Sequence, residues 1–229
     1  MASNLVKQVR NLQRRKSRRR RGLAIAEGVR LVEEAIAARI PVLGVVHTPE
    51  FARSLRGEAL LETLASHAVP VEELAAREFS SLADTDTPQG VLAVVDPPTW
   101  DLDDVQPVPG HPVLVLDGVQ DPGNVGTLVR TAFALGAPGA IVLQGTADTA
   151  NPKVMRAAMG ATFRLPTAAA GDAEFEAWVK KQNAEVWVAT AEGSTVVRLE
   201  VPERLAVVVG NEGAGVRPFL RSLAPPRLA

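Results

Sequence analysis

Four short apolar runs in the second half of the chain, Val113 to Asp117, Gly139 to Leu143, Glu185 to Thr190 and Leu205 to Val209, are separated by stretches of helical pattern. Parallel strands need long crossovers, which helices supply, so this alternation leaves few alternatives to a mainly parallel sheet with helices on both faces. The helical stretches are Asn124 to Leu135, Pro152 to Met159 and Glu174 to Gln182, with an extended piece at Thr162 to Leu165. Asn124 reads as an N-cap, and Gly136 stands just past the end of the same helix.

The first half reads as a smaller α/β module. Ala26 to Ala38 places Val29, Val32, Ala35 and Ile36 on one helical face, with Arg30, Glu33 and Glu34 elsewhere. Pro41 to Val46 reads as a strand, Phe51 to Ser66 as a helix and Val91 to Val95 as a buried strand. Asp96 to Pro112 is rich in proline and acidic residues, and proline lacks the N–H that a ladder or a helix interior needs. It therefore reads as a linker. The expected division is a basic segment (1–22), an α/β substrate-binding domain (23–96), the linker (97–112) and a larger α/β domain (113–229).

Charge is unevenly spread. Residues 1–26 hold Lys7, Arg10, Arg14, Arg15, Lys16, Arg18, Arg19, Arg20 and Arg21 and no acid, leaving 16 of the 25 Lys and Arg against all 26 acidic residues in the remainder. Such a segment can neutralise phosphates and release counterions, which gives salt-sensitive affinity for nucleic acid. The alternative is a solubilising tail. No cysteine is present, which excludes disulfides and thiolate sites and fits a cytoplasmic protein. No apolar run approaches the roughly 20 residues a transmembrane helix needs. His47, His67 and His111 show no metal spacing, so no metal is expected. Asp84 and Asp86 read as loop caps, and Trp178 and Trp187 as core. Aromatic residues make up 4% of the chain with no tyrosine, so RNA recognition through charge and shape is favoured over stacking platforms.

Two loops carry the chemistry. In DGVQDPGNVGTLVRTA a strand ends at Asp117, a loop with glycine and proline follows, and a helix opens. Backbone N–H groups and the positive helix end lie beside such a loop, a place suited to an anion. Arg130, roughly a turn and a half beyond Asn124, could point at the same pocket; its other reading is a surface ion pair. In AVVVGNEGAGV a buried strand delivers three glycines and an Asn–Glu pair into a second loop. Ligands of open α/β sheets bind at strand carboxyl ends, and glycines let backbone approach them. Neither loop is GxGxxG or GxxxxGK[ST], so a dinucleotide fold and a P-loop are unsupported.

Together the two loops resemble the SpoU family within the knotted methyltransferase superfamily. Asn124, Gly126, Arg130, Thr131 and Ala132 match N-x-G-x-x-x-R-[ST]-A, and Gly210, Asn211, Glu212 and Gly215 match G-N-E-x-x-G. NPKVMRAAMGATFRLP (Asn151 to Pro166) is similar to the family's middle region. AEGVRLVEEAI and TDTPQGVLAVV are similar to the opening and close of its substrate-binding domain. The resemblance implies a trefoil-knot domain binding S-adenosylmethionine, a homodimer with its active site near the subunit interface, and an N-terminal domain that grips ribosomal RNA. The reaction implied is methyl transfer to a ribose 2′-OH. By resemblance Asn124, Arg130 and Glu212 are the catalytic set, Asn124 orienting the ribose or the arginine. Arg130 binds phosphate or a developing alkoxide, since a guanidinium stays protonated. Gly210, Asn211, Glu212 and Gly215 form the cofactor side. Arg14, Arg15, Lys16, Arg18, Arg19, Arg20, Arg21 and Arg30 form the RNA-binding set.

The family's third motif, roughly S-L-N-V-[SA]-x-A, has no match before Ala229, and the RSL at Arg221 to Leu223 is not followed by asparagine. The knot is therefore expected to be incomplete. The alternatives are a non-catalytic RNA-binding protein of the same descent, a tRNA-directed member, or an antibiotic-resistance methylation of ribosomal RNA. Weak or absent binding of S-adenosylmethionine by the 229-residue chain is the expectation that calorimetry tests; micromolar affinity would contradict it.

Overall fold

The computed structural model describes residues 3–190 and 200–224. They form two compact units, residues 1–98 with 148–163 and residues 99–147 with 164–229.

The first unit is built on a four-stranded sheet. Helices α1 (Asn4–Leu12) and α2 (Arg15–Arg21) lead into β1 (Ala24–Glu27), α3 (Val29–Ala37) and β2 (Val42–His47). The helices α4 (Pro49–Ala52) and α5 (Leu55–Ser66), β3 (Val71–Glu73), α6 (Ala76–Ser80) and β4 (Val91–Val95) follow. The strand order is β1-β4-β2-β3, with β4 antiparallel to both neighbours and β2 parallel to β3. Every residue of β4 is buried because both faces of the sheet are covered. Ala24, Ala26, Val45, Val91, Ala93 and Val95 pack under α3 and α5; Ile25, Val46, Leu92 and Val94 pack under α1 and Phe79 of α6. The basic segment is thus part of the fold. Ser3 caps α1, and Val6, Val9 and Leu12 bury its apolar stripe.

The second unit holds β5 (Val113–Asp117), α7 (Pro122–Ala134), β6 (Ala140–Val142), β7 (Thr167–Ala169), α9 (Asp172–Gln182), β8 (Glu185–Val188), β9 (Leu205–Gly210) and α10 (Pro218–Leu223). Its five strands are ordered β7-β6-β5-β9-β8, and every pair is parallel. This is the sheet that the alternating pattern predicts. Trp178 and Trp187 are buried, and the Trp178 indole N–H donates to the Val105 carbonyl at 3.0 Å.

Three local expectations change. Helix α7 begins two residues before Asn124: Asp121 is the N-cap, accepting from the Asn124 N–H at 2.9 Å, and Pro122 occupies the first turn. Proline suits that position because its missing N–H would have been unpaired. Thr162 to Leu165 is not extended; Ala161–Phe163 is a 3-10 turn, and the strand starts at Thr167. Finally, 148–163, with α8 (Pro152–Ala158), belongs to the first unit although the sequence groups it with the second domain. Met155 and Phe163 join the first unit's core, and Arg156 bridges Glu27 at 2.9 Å and Asp84 at 2.7 Å. Asp84 is therefore an ion-pair partner rather than a loop cap.

Arg18 pins this segment. Its side chain is 4% exposed; Nε and Nη2 donate to Asp148 at 3.1 and 2.7 Å, and Nη1 donates to the carbonyls of Leu12 and Gln13. Removing one partner of a buried pair strands the other charge. Arg18→Ala is expected to cost ~3 kcal/mol in urea unfolding, against less than ~0.5 kcal/mol for exposed Arg19→Ala.

Candidate functional site

The expected site lies in the second unit, where β5 and β9 end side by side. Their register pairs Asp117 with Gly210. The chain runs from β5 outward through β6 to β7, then continues at β8 and β9 on the other side of β5. The order therefore reverses between β5 and β9, and loops leaving a parallel sheet at such a point diverge and leave a crevice.

Glu212 joins the two loops. Its carboxylate accepts from the backbone N–H groups of Gln120 (3.3 Å) and Asp121 (3.2 Å) and from Nδ2 of Asn124 (2.9 Å). Asn124 can reach it because Asp121 has taken the capping role. The amide of Asn124 foremost, then the backbone groups of Glu212, Gln120 and Asp121, hold the Glu212 pKa down to about 2. It is thus ionised at neutral pH and acts as an acceptor.

Asn211 shapes the second loop. Its Oδ1 accepts from the N–H groups of Gly213 and Ala214, and its Nδ2 donates to the Gly118 carbonyl at 2.9 Å. Backbone bonds in both directions between Asn211 and Gly215 close the turn. Gly210 must lack a side chain, since a Cβ there would collide with the backbone of Gly215 and Val216. Gly118, Gly145 and Gly215 have positive φ, which glycine adopts at no steric cost.

Several residues of the site escape sequence reasoning. Thr146 accepts from the Gly118 N–H and donates to the Leu116 carbonyl, both at 3.0 Å, fixing the turn after β5. Asp117, 1% exposed, accepts from the backbone N–H and Nε of Arg217 at 2.8 and 2.6 Å. The other edge of the Arg217 guanidinium makes a bidentate pair with Asp172 at 2.9 and 2.7 Å. Arg217 directly follows the glycine loop, so this chain of charges anchors the loop's exit. An aspartate ending an apolar strand was the available signal; its partner, a hundred residues on, was not.

Arg130 stands apart from the cluster. Six residues beyond Asn124, it lies about 120° around the helix and roughly 9 Å along it. It is exposed and has no ion pair or hydrogen bond among the described residues. Among the described residues no hydrogen bond joins Arg130 to Asn124 or to Glu212. Of the RNA-binding set, Arg14, Arg15, Lys16, Arg19, Arg20, Arg21 and Arg30 are exposed in the first unit, whereas Arg18 is committed internally and drops out.

These loops have known counterparts. Residues 111–228 match the SpoU rRNA Methylase family, and residues 3–93 match the MRM3-like substrate binding domain. The chain belongs to the SpoU rRNA methylase family. A 23S rRNA (guanosine(2553)-2′-O)-methyltransferase of Bacillus subtilis is 33% identical over 212 residues, covering 92% of this chain and 80% of that protein. A 23S rRNA (uridine(2479)-2′-O)-methyltransferase of Streptomyces viridochromogenes is 29% identical, covering 91% and 75%. Among solved structures, the SpoU methyltransferase AviRb of Streptomyces viridochromogenes in complex with AdoMet superposes with a TM-score of 0.84 at 27% identity, covering 97% of this chain and 86% of that one. The AdoMet-bound rRNA methyltransferase of Sinorhizobium meliloti gives 0.82 at 29% identity, covering 97% and 83%. Among the described residues, no helix is long and apolar enough to cross a membrane, and no group of three or more His, Asp or Glu could hold a metal ion.

The low pKa of Glu212 sets a pH window. A carboxyl depressed in the folded state stabilises the fold above its unfolded value and loses that contribution as pH falls toward the folded value. The Glu212–Asn124 link is expected to be intact above about pH 4.5 and to weaken toward pH 2. The side-chain amide resonances of Asn124 followed by NMR would report this, and in Glu212→Gln they would no longer titrate.

Proposed function

We propose that this chain transfers a methyl group from S-adenosylmethionine to a ribose 2′-OH of ribosomal RNA. One observation carries the reading: an ionised glutamate ties the Asn124 helix to the glycine loop at the reversal point of a parallel sheet. Two relatives are named as 2′-O-methyltransferases of 23S rRNA, and two of the superposed structures contain AdoMet.

The loops fit such a cofactor. A Cβ added at Gly145 would meet the Gly118 Cα at 3.4 Å, and one at Gly118 would meet the Asn211 Cβ at 3.9 Å. Glycines thus bring bare backbone together across the ends of β6, β5 and β9, and in this reading a flat adenosine lies against it. Gly210, Asn211 and Gly215 form one wall, with Glu212 fixing its height against α7. When bound, S-adenosylmethionine supplies the sulfonium methyl that the ribose oxygen attacks in line.

The protein's part is alignment and charge. Asn124 spends Nδ2 on Glu212 and keeps Oδ1 available to accept from a ribose hydroxyl. In-line attack depends on such positioning. The Arg130 guanidinium stabilises the oxygen as its proton passes to solvent water, or grips the adjacent phosphate. Its separation from Asn124 within one chain supports a homodimer, in which Arg130 serves the site of a second copy. The same end of α7 exposes Phe133 (41%) and Leu135 (75%), apolar surface that a second copy would cover. The six cations Arg14, Arg15, Lys16, Arg19, Arg20 and Arg21, none paired among the described residues, hold the RNA backbone. The same reading carries a trefoil-knot cofactor cleft and a cytoplasmic location.

Incorporation of tritiated methyl from S-adenosylmethionine into unmodified 23S rRNA tests this. With S-adenosylmethionine in large excess, to offset the weak affinity expected without the third motif, the wild-type chain is expected to label it. Arg130→Ala is expected to lower the rate by about a hundredfold with cofactor affinity unchanged, the size lost with a single charge-stabilising group. RNA binding without labelling would favour the non-catalytic reading.

A further inference from the structure

The first unit contains a cavity of about 540 Å³, within the range of ligand pockets, roughly 300–1,000 Å³. It lies between the start of α4 and α5, helix α6, and the loop that leads into β4. Thr48, Glu50, Phe51, Phe79, Gln89 and Gly90 line it.

Its walls are held in place. Glu27, buried at the end of β1, accepts from the N–H groups of Asp84 and Thr85, from the Thr85 hydroxyl and from Arg156. That carboxylate fastens the near end of the 84–90 loop. At its far end the Oε1 of Gln89 accepts from the Val29 N–H at 3.1 Å, capping α3. Gly90, at φ +78°, lets the loop close on α4; a Cβ there would crowd Thr48 Oγ1 and Phe51 Cβ. A loop fixed at both ends presents a preformed pocket, which costs little to fill.

The lining decides what fits. Among the described residues no lysine or arginine lines the cavity, and its one acidic residue is Glu50, so a phosphate or other anion is disfavoured. The floor is apolar, from Phe51 and Phe79. The polar atoms with spare capacity are neutral: both Nε2 protons of Gln89 lack an acceptor among the described residues, and the Thr48 oxygen has accepted only the Phe51 N–H. Such a set suits a flat, neutral, hydrogen-bonding group. The cations stand at the rim instead. Arg53, exposed, approaches Glu50 at 3.7 Å, and Arg77 lies exposed on α6 between the lining residues Ala76 and Phe79.

We propose that this cavity receives one unstacked base of the RNA substrate, with Arg53 and Arg77 holding the flanking phosphates. Sequence-specific RNA recognition favours splayed-out bases in loops and bulges, read along their hydrogen-bonding edges. The proposal rests on RNA being the substrate, and it adds a base-reading site to the backbone contacts of the basic segment.

The test is filter binding of unmodified 23S rRNA by the full chain over a salt series. Ala76→Trp and Ser80→Trp fill the cavity from exposed positions on α6. Gln89→Glu keeps the acceptor for the Val29 N–H and removes the amide donors. Each is expected to weaken binding about tenfold; the two tryptophan variants leave the slope of log affinity against log salt unchanged, because no phosphate contact is lost, whereas the added carboxylate of Gln89→Glu makes its loss larger at low salt. The double variant Arg53→Ala, Arg77→Ala is expected to flatten that slope by roughly one to two units. Wild-type affinity in all three cavity variants, with thermal melting unchanged, overturns the pocket and leaves RNA binding standing. Failure of the wild-type chain to retain the RNA overturns the RNA reading, and the pocket with it.

Discussion

The parallel ladder between β5 and β9 is the constraint on which the rest of the site depends. It sets Asp117 level with Gly210, so two loops from distant parts of the chain leave the sheet at the same height and at the point where the strand order reverses. Glu212 can reach the first turn of α7 only because of that register. A slip of one residue would turn Asp117 outward from its buried pairing with Arg217 and move the glycine loop out of reach of Asn124. The meeting of the two loops, the link from Glu212 to Asn124 and the anchoring of the glycine loop all follow from one strand pairing.

Both units use the same device to fix a loop. In the first, the carboxylate of Glu27 gathers the N–H groups that open the 84–90 loop; in the second, that of Glu212 gathers those between β5 and α7. Backbone donors in loops lack the partners that helices and sheets provide, and one carboxylate can accept several at once. Where such a group is buried it is also paired: Glu27 with Arg156, Asp117 with Arg217, and Arg18 with Asp148. Charges that look alike in the sequence therefore divide into two kinds. Arg18 and Arg217 are structural, whereas Arg14, Arg19 and Arg130 are exposed and have no ion pair among the described residues.

Much of the fold was legible locally. Val91 to Val95 and Val113 to Asp117 are strands with the bounds their apolar runs suggest, because β-branched residues between turn signals have few other options. The two loop motifs named the family, and they lie together as strand-end loops must. Other features were not legible. Asn124 looked like an N-cap, but Asp121 and Pro122 compete for that end of the helix and win, which frees the Asn124 amide for Glu212. The Arg14 to Arg21 run read as an RNA-binding segment throughout, with a solubilising tail as the alternative, but α2 buries Arg18. Residues 148–163 looked like part of the second domain, but Met155, Phe163 and Arg156 find their partners in the first unit.

Local pattern was enough to specify the alternating elements, the glycine positions and the residue types available for chemistry, because periodicity and turn preference act over a few residues. Which charges are spent inside the protein, and what the Asn124 amide bonds to, were settled only by tertiary packing. Each of those depends on a partner from elsewhere in the chain: Asp148 for Arg18, Asp172 and Asp117 for Arg217, Glu212 for Asn124. A carboxylate has no local signature that reveals which donors will surround it once the chain has folded.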